Sequence, residues 1–268
     1  MHTTFRLACA LVIVFAAPRA RAQTLSTALS KLESNVTTTR MEGFDEIFRL
    51  ANVGFRPTAS LRPGATHVAS YAREHREVAP ALISLLEREN GAVRRGEGRD
   101  FGESYAVDYY GNLIGTVAAL RDPRAVRALM GAIETGGMAT EGLAAIGEPA
   151  APEVLRAATS ANRATRISAL RALAEMVGGD AASGLSRRSR EQIRSVLLTA
   201  LHDKKVSARI MALRGIAYYG DDESRKIVAA VATHDAHAIQ RDGRTVYPVR
   251  ELAAATLKKQ DSLRLQRR

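Results

Sequence analysis

The 268-residue chain has no tryptophan, a single cysteine (Cys9) and only thirteen phenylalanines and tyrosines. Cys9 lies in an apolar N-terminal run that we expect to be removed, which leaves a chain without thiols. That excludes intramolecular disulfides, a cysteine nucleophile and cysteine-ligated zinc or iron–sulfur sites. No stretch alternates convincingly between apolar and polar residues, so we predict no β-sheet.

The first 22 residues have the pattern of a secretory signal peptide. Arg6 precedes the apolar run LACALVIVFAA, and the segment ARA at 20–22 fits the small-residue cleavage pattern. The apolar run is too short for a stable membrane anchor. We predict cleavage before Gln23 and export of a bacterial protein to the periplasm or the extracellular space.

Short segments recur along the rest of the chain. RISALRALA at 166–174, RIMALRGIA at 209–217 and RELAAATLK at 250–258 each begin with arginine and continue with apolar residues at helical spacing. A weaker copy, RMEGFDEIF, begins at Arg40. VAALRDPRA and LAAIGEPAA share an acid before a proline, which is typical of a helix start. One helical hairpin cannot bury its apolar face alone, so the repeats predict stacked hairpins.

The periodicity predicts six helical hairpins. They average about 41 residues, within the range of two-helix solenoid repeats. The predicted pairs are 24–33 with 38–52, 77–90 with 103–119, 122–134 with 138–147, 149–160 with 163–177, 187–202 with 205–219, and 222–235 with 247–259.

Two motifs resemble those of HEAT and HEAT-like repeat proteins. The V-R-x-x-A element occurs as VRELA at 249–253, and the D-P-R-A-V-x-A-L opening occurs at 122–129. The resemblance covers about 77–260. It fits less well over 23–76, which contains the loop FRPTASLRPGAT, and 261–268 forms a basic tail. The resemblance implies an all-α, right-handed solenoid of about six HEAT-like hairpins.

The resemblance also implies that the second helices of the hairpins line a concave, partner-binding surface. It does not imply one activity. HEAT-like repeats occur in scaffolds, transport factors, phycobilin lyases and a class of DNA glycosylases, so the fold alone does not assign a function.

The repeated arginines Arg166, Arg209 and Arg250 allow two interpretations. They either form a basic ladder for an acidic ligand or, as is common in HEAT-like repeats, pair with an acid of the preceding turn. Asp203, six residues before Arg209, is a candidate for such a partner. The repeat also places leucines at apolar structural positions: Leu170, Leu213 and Leu257.

Arg171 and Arg214 are candidates for a surface site. Each lies five residues after a ladder arginine, about 140° around the helix. With Tyr218 and Tyr219 they would form a basic and aromatic patch on adjacent repeats, which is our candidate partner-binding surface. The alternative is an ordinary solvated face with half-buried tyrosines.

His234 and His237 have the i, i+3 spacing of residues on one helix face and, with His202 or Asp203, suggest a zinc site. The chain has no HExxH motif, however, and HxxH alone is a weak signal. We therefore predict no metal site and interpret this segment as a polar helix end.

The carboxylates Glu97, Asp100 and Glu103 lie in the glycine-rich loop GAVRRGEGRDFGE. Paired carboxylates can perform acid–base catalysis, but the neighbouring arginines predict ordinary ion pairs. The chain contains neither GxxxxGK[ST] nor GxSxG, so we predict no catalytic residue and no cofactor.

Positive charge is concentrated near the C-terminus. The net charge is +11, and residues 186–268 carry 18 Lys and Arg against nine Asp and Glu. SRRSR at 186–190 and KKQDSLRLQRR at 258–268 are the densest runs. This end either binds polyanions or serves as a polar, solubilising cap.

These observations predict a non-enzymatic, exported HEAT-like scaffold that binds a protein partner on its concave face. The loops 53–66 and 91–102 would add specificity. One alternative is binding of a polyanion or an anionic surface through the basic C-terminal third. The other is an enzyme or enzyme accessory of the HEAT-like lyase or glycosylase type, which the predicted export and the lack of tryptophan disfavour.

Overall fold

The computed structural model describes residues 23–53, 61–135 and 137–266. They form two compact units, one ending at Leu120 and the other beginning at Arg121. The predicted signal peptide lies outside the described residues. The prediction of an all-α solenoid is confirmed, because helices dominate both units and successive hairpins stack in the second.

The first unit consists of helices and their turns in its described part. Helix α3 packs against α2, α4 and α5. The elements are α1 (23–32), α2 (Thr37–Ala51), α3 (Leu61–Glu74), α4 (Val78–Arg94), a 3₁₀ turn (Arg99–Phe101), a π-helix (Ser104–Gly111) and α5 (Asn112–Leu120).

Helix α3 corrects part of the loop predicted over 53–66: residues 61–66 are helical, while 54–60 lie outside the described residues. The prolines and the glycine suggested a break, but Pro63 lies in the first helical turn, where a missing N–H costs no hydrogen bond. The helix presents one apolar face at i, i+3, i+4 and i+7 spacing. Its buried residues are Ala65, Val68, Ala69 and Ala72.

A buried carboxylate organises the interior of the first unit. Glu89 on α4 is fully buried, and its Oε1 accepts a hydrogen bond of 2.5 Å from Nε of Arg40. The hydroxyls of Tyr105 and Tyr109 also donate to Glu89, at 2.5 and 3.1 Å. Burial, together with the Glu89 charge, raises the pKa of both tyrosines, so both remain hydrogen-bond donors.

The π-helix explains how these tyrosines meet. Its wider turn places residues five apart on one face. Tyr105 and Tyr110 consequently stack with their rings 7° from parallel and their centroids 6.4 Å apart. The Tyr110 hydroxyl donates to Oδ1 of Asn90 at 2.6 Å, beside the Glu89 cluster.

The second unit stacks four helical hairpins in its described part. They are α6–α7, α8–α9, α10–α11 and α12–α13, and the second helices α7, α9, α11 and α13 pack on one another in that order. The helices are α6 (Val126–Gly131), α7 (Gly137–Ile146), α8 (Ala151–Ala157), α9 (Arg163–Gly178), α10 (Arg187–Ala200), α11 (Val206–Ile216), α12 (Asp222–His234) and α13 (Pro248–Gln266). Short 3₁₀ turns span Pro123–Ala125 and Asp180–Gly184.

Small residues allow the second helices to lie close together. A Cβ atom on Gly215 of α11 would lie 3.0 Å from the Cα atom of Ala174 on α9. Leu170 and Leu213, on the same two helices, are fully buried, as their repeat positions predict. Leu257 is only half-buried, because α13 is the last helix described and no later helix covers it.

Polar caps fix where several helices begin. Asn162 accepts hydrogen bonds from the N–H groups of the first turn of α9, and Ser186 and Asp221 do the same for α10 and α12. Asp122 caps the turn at Pro123, as its acid–proline motif predicts. Glu148, in the matching motif, instead accepts from the Ser186 N–H and from the Ser189 hydroxyl of α10.

A β-hairpin interrupts the last helical pair and contradicts the prediction of no sheet. Strands β1 (Ile239–Arg241) and β2 (Arg244–Val246) pair in antiparallel fashion. Asp242 and Gly243 both have positive φ, of 52° and 72°, which suits a two-residue turn. Each strand has only three residues, too few for an alternating pattern to be recognised.

Among the residues that the structure describes, none forms a helix with the length and hydropathy needed to cross a membrane.

Candidate functional site

Two of the ladder arginines tie successive hairpins of the second unit together, and the third bonds within its own hairpin. Arg166 donates from Nε to Asp203 Oδ2 at 3.0 Å, and Arg209 donates from Nε to Asp235 Oδ2 at 2.7 Å. Arg250 donates to the carbonyl oxygen of Asp235 at 2.6 Å. All three guanidinium groups are part-buried, which supports the structural interpretation over a ligand-binding ladder.

The direction of pairing corrects the sequence analysis. Asp203 was expected to pair with Arg209 from the preceding turn, but its carboxylate reaches back to Arg166 of the previous hairpin. Arg209 uses the Asp203 carbonyl oxygen instead, at 2.8 Å. The acid that pairs with Arg209 is Asp235, which belongs to the turn within the following hairpin.

Arg40 in the first unit repeats this geometry. Its Nη1 donates to the carbonyl oxygen of Ser34, six residues earlier, at 3.1 Å. Arg166 makes the same bond to the Ser160 carbonyl oxygen at 2.8 Å. The weak repeat copy that begins at Arg40 therefore shares the local structure of the stronger ones, with Glu89 in the role of the acid.

The ladder predicts acid-sensitive stability. Burial alone raises the pKa of Asp235 and of Asp203. The hydrogen bonds from arginine and from the N–H groups of His237 and Lys205 outweigh it, so both pKa values lie below the ordinary one. A carboxyl with a lowered folded pKa contributes stability above its unfolded pKa of about 3.9 and loses it as the pH falls through the folded value.

We therefore expect Asp235→Asn to lower the melting temperature at about pH 6 and to converge with the wild type once the pH falls below the lowered folded pKa of Asp235. Melting curves across this range test the prediction. Asp242→Asn, at the exposed hairpin tip, is the matched control and should follow the wild type throughout. A constant difference at every pH would show that Asp235 contributes by packing rather than by charge.

A groove of about 510 Å³ crosses the exposed face of the second helices α9, α11 and α13. Several of its lining residues are small. Its lining residues are Arg171, Ala174, Glu175, Gly178, Gly179, Met211, Arg214, Ala217, Tyr218, Leu252, Ala255, Thr256 and Lys259.

The groove follows the register of the repeat. Glu175, Tyr218 and Lys259 each lie nine residues after a ladder arginine, and they form one row across the three helices. Arg171 and Arg214 lie five residues after it and form a second row, in which the third hairpin has alanine. Glu175 and Lys259 occupy the same repeat position as Tyr218, so aligning the repeated segments would have identified them. The sequence analysis did not name them.

Tyr218 is held at the centre of the groove. Nζ of Lys259 lies 3.5 Å from the centroid of its ring, a cation–π distance. On the other side the ring lies against Gly178, where an added Cβ atom would come within 2.4 Å of it. Any larger residue at position 178 would clash with this ring, so Gly178 leaves the space that Tyr218 occupies.

The charged side chains that line the groove differ in whether they have an ion-pair partner. Arg171 pairs with Glu175 at 2.7 Å and lies 3.8 Å from Glu141. Arg214 is exposed and forms no ion pair with any residue that the structure describes. Glu175 Oε2 is buried and accepts no hydrogen bond from the described residues. The groove thus offers one exposed cation without an ion-pair partner among the described residues, Arg214.

Tyr219 does not belong to this groove. Its hydroxyl donates to the carbonyl oxygen of Arg190 at 2.8 Å, and burial raises its pKa. Of the two arginines and two tyrosines in the predicted patch, Arg171, Arg214 and Tyr218 line the groove. Tyr219 is the next residue in the turn after α11 and is directed to Arg190 instead.

The other candidates from the sequence do not assemble a site. Helix α12 ends at His234, so His237 lies beyond it and the two do not share a helix face. Glu97 pairs with Arg95 at 2.5 Å on the surface of the first unit. In the described ranges no three side chains of His, Cys, Asp or Glu come together in a way that would hold a metal ion.

Comparison with known proteins supports the fold. No protein-family model and no curated protein matches the chain. A designed armadillo repeat protein in complex with the peptide (KR)4 matches with a TM-score of 0.50 and 14% identity, over 88% of this chain and 98% of that one. An engineered protein of a structural genomics consortium has a TM-score of 0.39 and 15% identity, over 89% and 96%. The chain is therefore an α-helical repeat protein of the solenoid class.

Proposed function

We propose that the protein is a non-enzymatic, exported scaffold of HEAT-like repeats that binds an extended segment of a protein partner in the groove. The observation that carries this proposal is the groove itself, which runs across three successive second helices and contains two rows of chemically distinct side chains. Such a surface suits several residues of an extended chain better than one compact small molecule.

The chemistry of the groove favours an acidic segment with an apolar residue. Arg214 and Lys259 provide positive charge, whereas the one carboxylate, Glu175, is already paired with Arg171. Met211 and Leu252 offer an apolar wall for a buried anchor. Charge complementarity of this kind determines partner choice and association rate more than it adds affinity.

The designed armadillo protein holds a basic peptide, (KR)4. The fold likeness supports an extended ligand here, while the opposite charge of this groove predicts an acidic one.

Arg214→Glu is expected to weaken binding of such a segment by about tenfold or more, because it replaces an attractive charge with a repulsive one. Fluorescence anisotropy with labelled acidic, neutral and basic peptides, each carrying one central leucine, measures this effect. Arg188→Glu is the matched control, since it makes the same charge change on exposed α10, away from the groove.

The acidic peptide should bind the wild type and Arg188→Glu equally, and the basic peptide should bind neither. An equal loss of affinity in Arg214→Glu and Arg188→Glu would show that only the net charge of the protein matters. That result would contradict binding in the groove. A photoreactive residue at Met211 then identifies the natural partner, provided that cross-linking disappears in Arg214→Glu.

A further inference from the structure

Five cations lie exposed on one edge of the second unit. The edge consists of the three turns within successive hairpins, at 158–163, 201–205 and 235–247, and we call it the basic edge. None of these cations forms an ion pair with the described residues. They are Arg163, Lys204, Lys205, Arg241 and Arg244.

The ladder holds the three turns side by side. The bond from Arg166 to Asp203 joins the first turn to the second, and the bond from Arg209 to Asp235 joins the second to the third. The same bonds turn both acids inward, where their side chains are only 15% and 6% exposed. The carboxylates of these turns therefore do not neutralise the cations on the surface.

The β-hairpin adds an arrangement that stability alone does not favour. Arg241 and Arg244 occupy directly opposite positions on the two strands. Like charges at such positions destabilise a hairpin. The connection that carries them is also much longer than the other turns of the array, and long connections in regular folds concentrate function.

The basic edge has little exposed negative charge. Its three turns contain one exposed acid, Asp242. The turn before it, between α6 and α7, has the exposed Glu134, which marks where the positive surface ends.

The basic edge has no feature for reading bases or entering a lipid interior. The exposed large apolar side chains of the described residues lie elsewhere, and Arg250 covers the ring of Tyr247 at 4.0 Å. Single-stranded nucleic acid is usually held on exposed aromatic rings. The basic edge therefore offers a row of cations at the tips of its turns. Such a row suits a ligand whose negative charges lie in one plane.

We propose that the basic edge binds the phosphate headgroups of an anionic phospholipid surface. Binding is peripheral and electrostatic, because Lys and Arg close to a negatively charged bilayer are attracted individually and their effects accumulate. This site is independent of the groove, so the protein can attach to a membrane surface and hold a partner segment at the same time.

Co-sedimentation with vesicles tests this proposal. The protein is expected to bind phosphatidylglycerol–phosphatidylcholine vesicles at low salt, to leave them at raised salt, and not to bind pure phosphatidylcholine. The double variant Arg241→Glu/Arg244→Glu should reduce the partition coefficient by about tenfold or more. Circular dichroism confirms that the exposed hairpin change leaves the helices intact.

Two controls make the result specific. Arg187→Glu/Arg188→Glu makes the same charge change at the start of α10, on the opposite edge, and should bind as the wild type does. Arg214→Glu should lose peptide binding but keep vesicle binding. Equal loss in both double variants, no vesicle binding by the wild type, or preference for duplex DNA in competition would each overturn the proposal.

Discussion

Replacing Arg40 by methionine is expected to lower the free energy of unfolding of the first unit by about 3–5 kcal/mol. Methionine fills much of the same volume but leaves the Glu89 carboxylate, which has no exposed surface, without its cation. The hydroxyls of Tyr105 and Tyr109 donate hydrogen bonds but carry no compensating charge. Urea unfolding followed by circular dichroism in the tyrosine region measures the change.

Two further variants separate the buried charge from the loss of packing. Arg40→Met/Glu89→Gln should recover most of the lost stability, because no charge remains buried and the amide oxygen still accepts from tyrosine. Arg124→Met removes an exposed arginine that pairs with Asp122, and it should unfold as the wild type does. If Arg40→Met and Arg40→Met/Glu89→Gln unfold alike, Arg40 stabilises the first unit by packing rather than by its charge.

Leu170→Ala is expected to lower the free energy of unfolding of the second unit by about 2–5 kcal/mol. Leu170 is fully buried between α9 and its neighbours, and the truncated side chain leaves a cavity that close-packed helices fill only partly. Thermal and urea unfolding followed by helical circular dichroism measure the loss.

Leu265→Ala is the matched control for Leu170→Ala. It deletes the same atoms from a side chain that is 72% exposed, so the melting curve should not move. An unchanged curve for Leu170→Ala would contradict the register that places this position in the core. A broadened curve would show that neighbouring hairpins unfold separately, as expected for a linear array.

The sequence predicted the second unit better than the first. Its hairpins repeat an arginine and an apolar stripe, so several copies support each helix. The first unit has only one weak copy, at Arg40, and α3 was mistaken for a loop because Pro63 and its neighbours suggested a break. A single helix that begins with proline resembles a turn until its buried face is known.

The candidate site was only partly predictable, because side-chain direction depends on packing. Arg171, Arg214 and Tyr218 lie together as their spacing suggests, whereas Tyr219 is directed to a backbone carbonyl in another part of the unit. The acid partner of Arg209 could not be chosen from sequence distance alone, since Asp203 and Asp235 both lie near it once the chain folds.

The forward direction of the arginine ladder has a consequence for how the chain folds as it is synthesised. Arg166 obtains its acid only when Asp203 has emerged, and Arg209 obtains its acid only when Asp235 has emerged. Each of these two arginines therefore lacks its carboxylate until the next hairpin has been made. The ion pairs between hairpins consequently form in order, from the N-terminal towards the C-terminal side of the second unit.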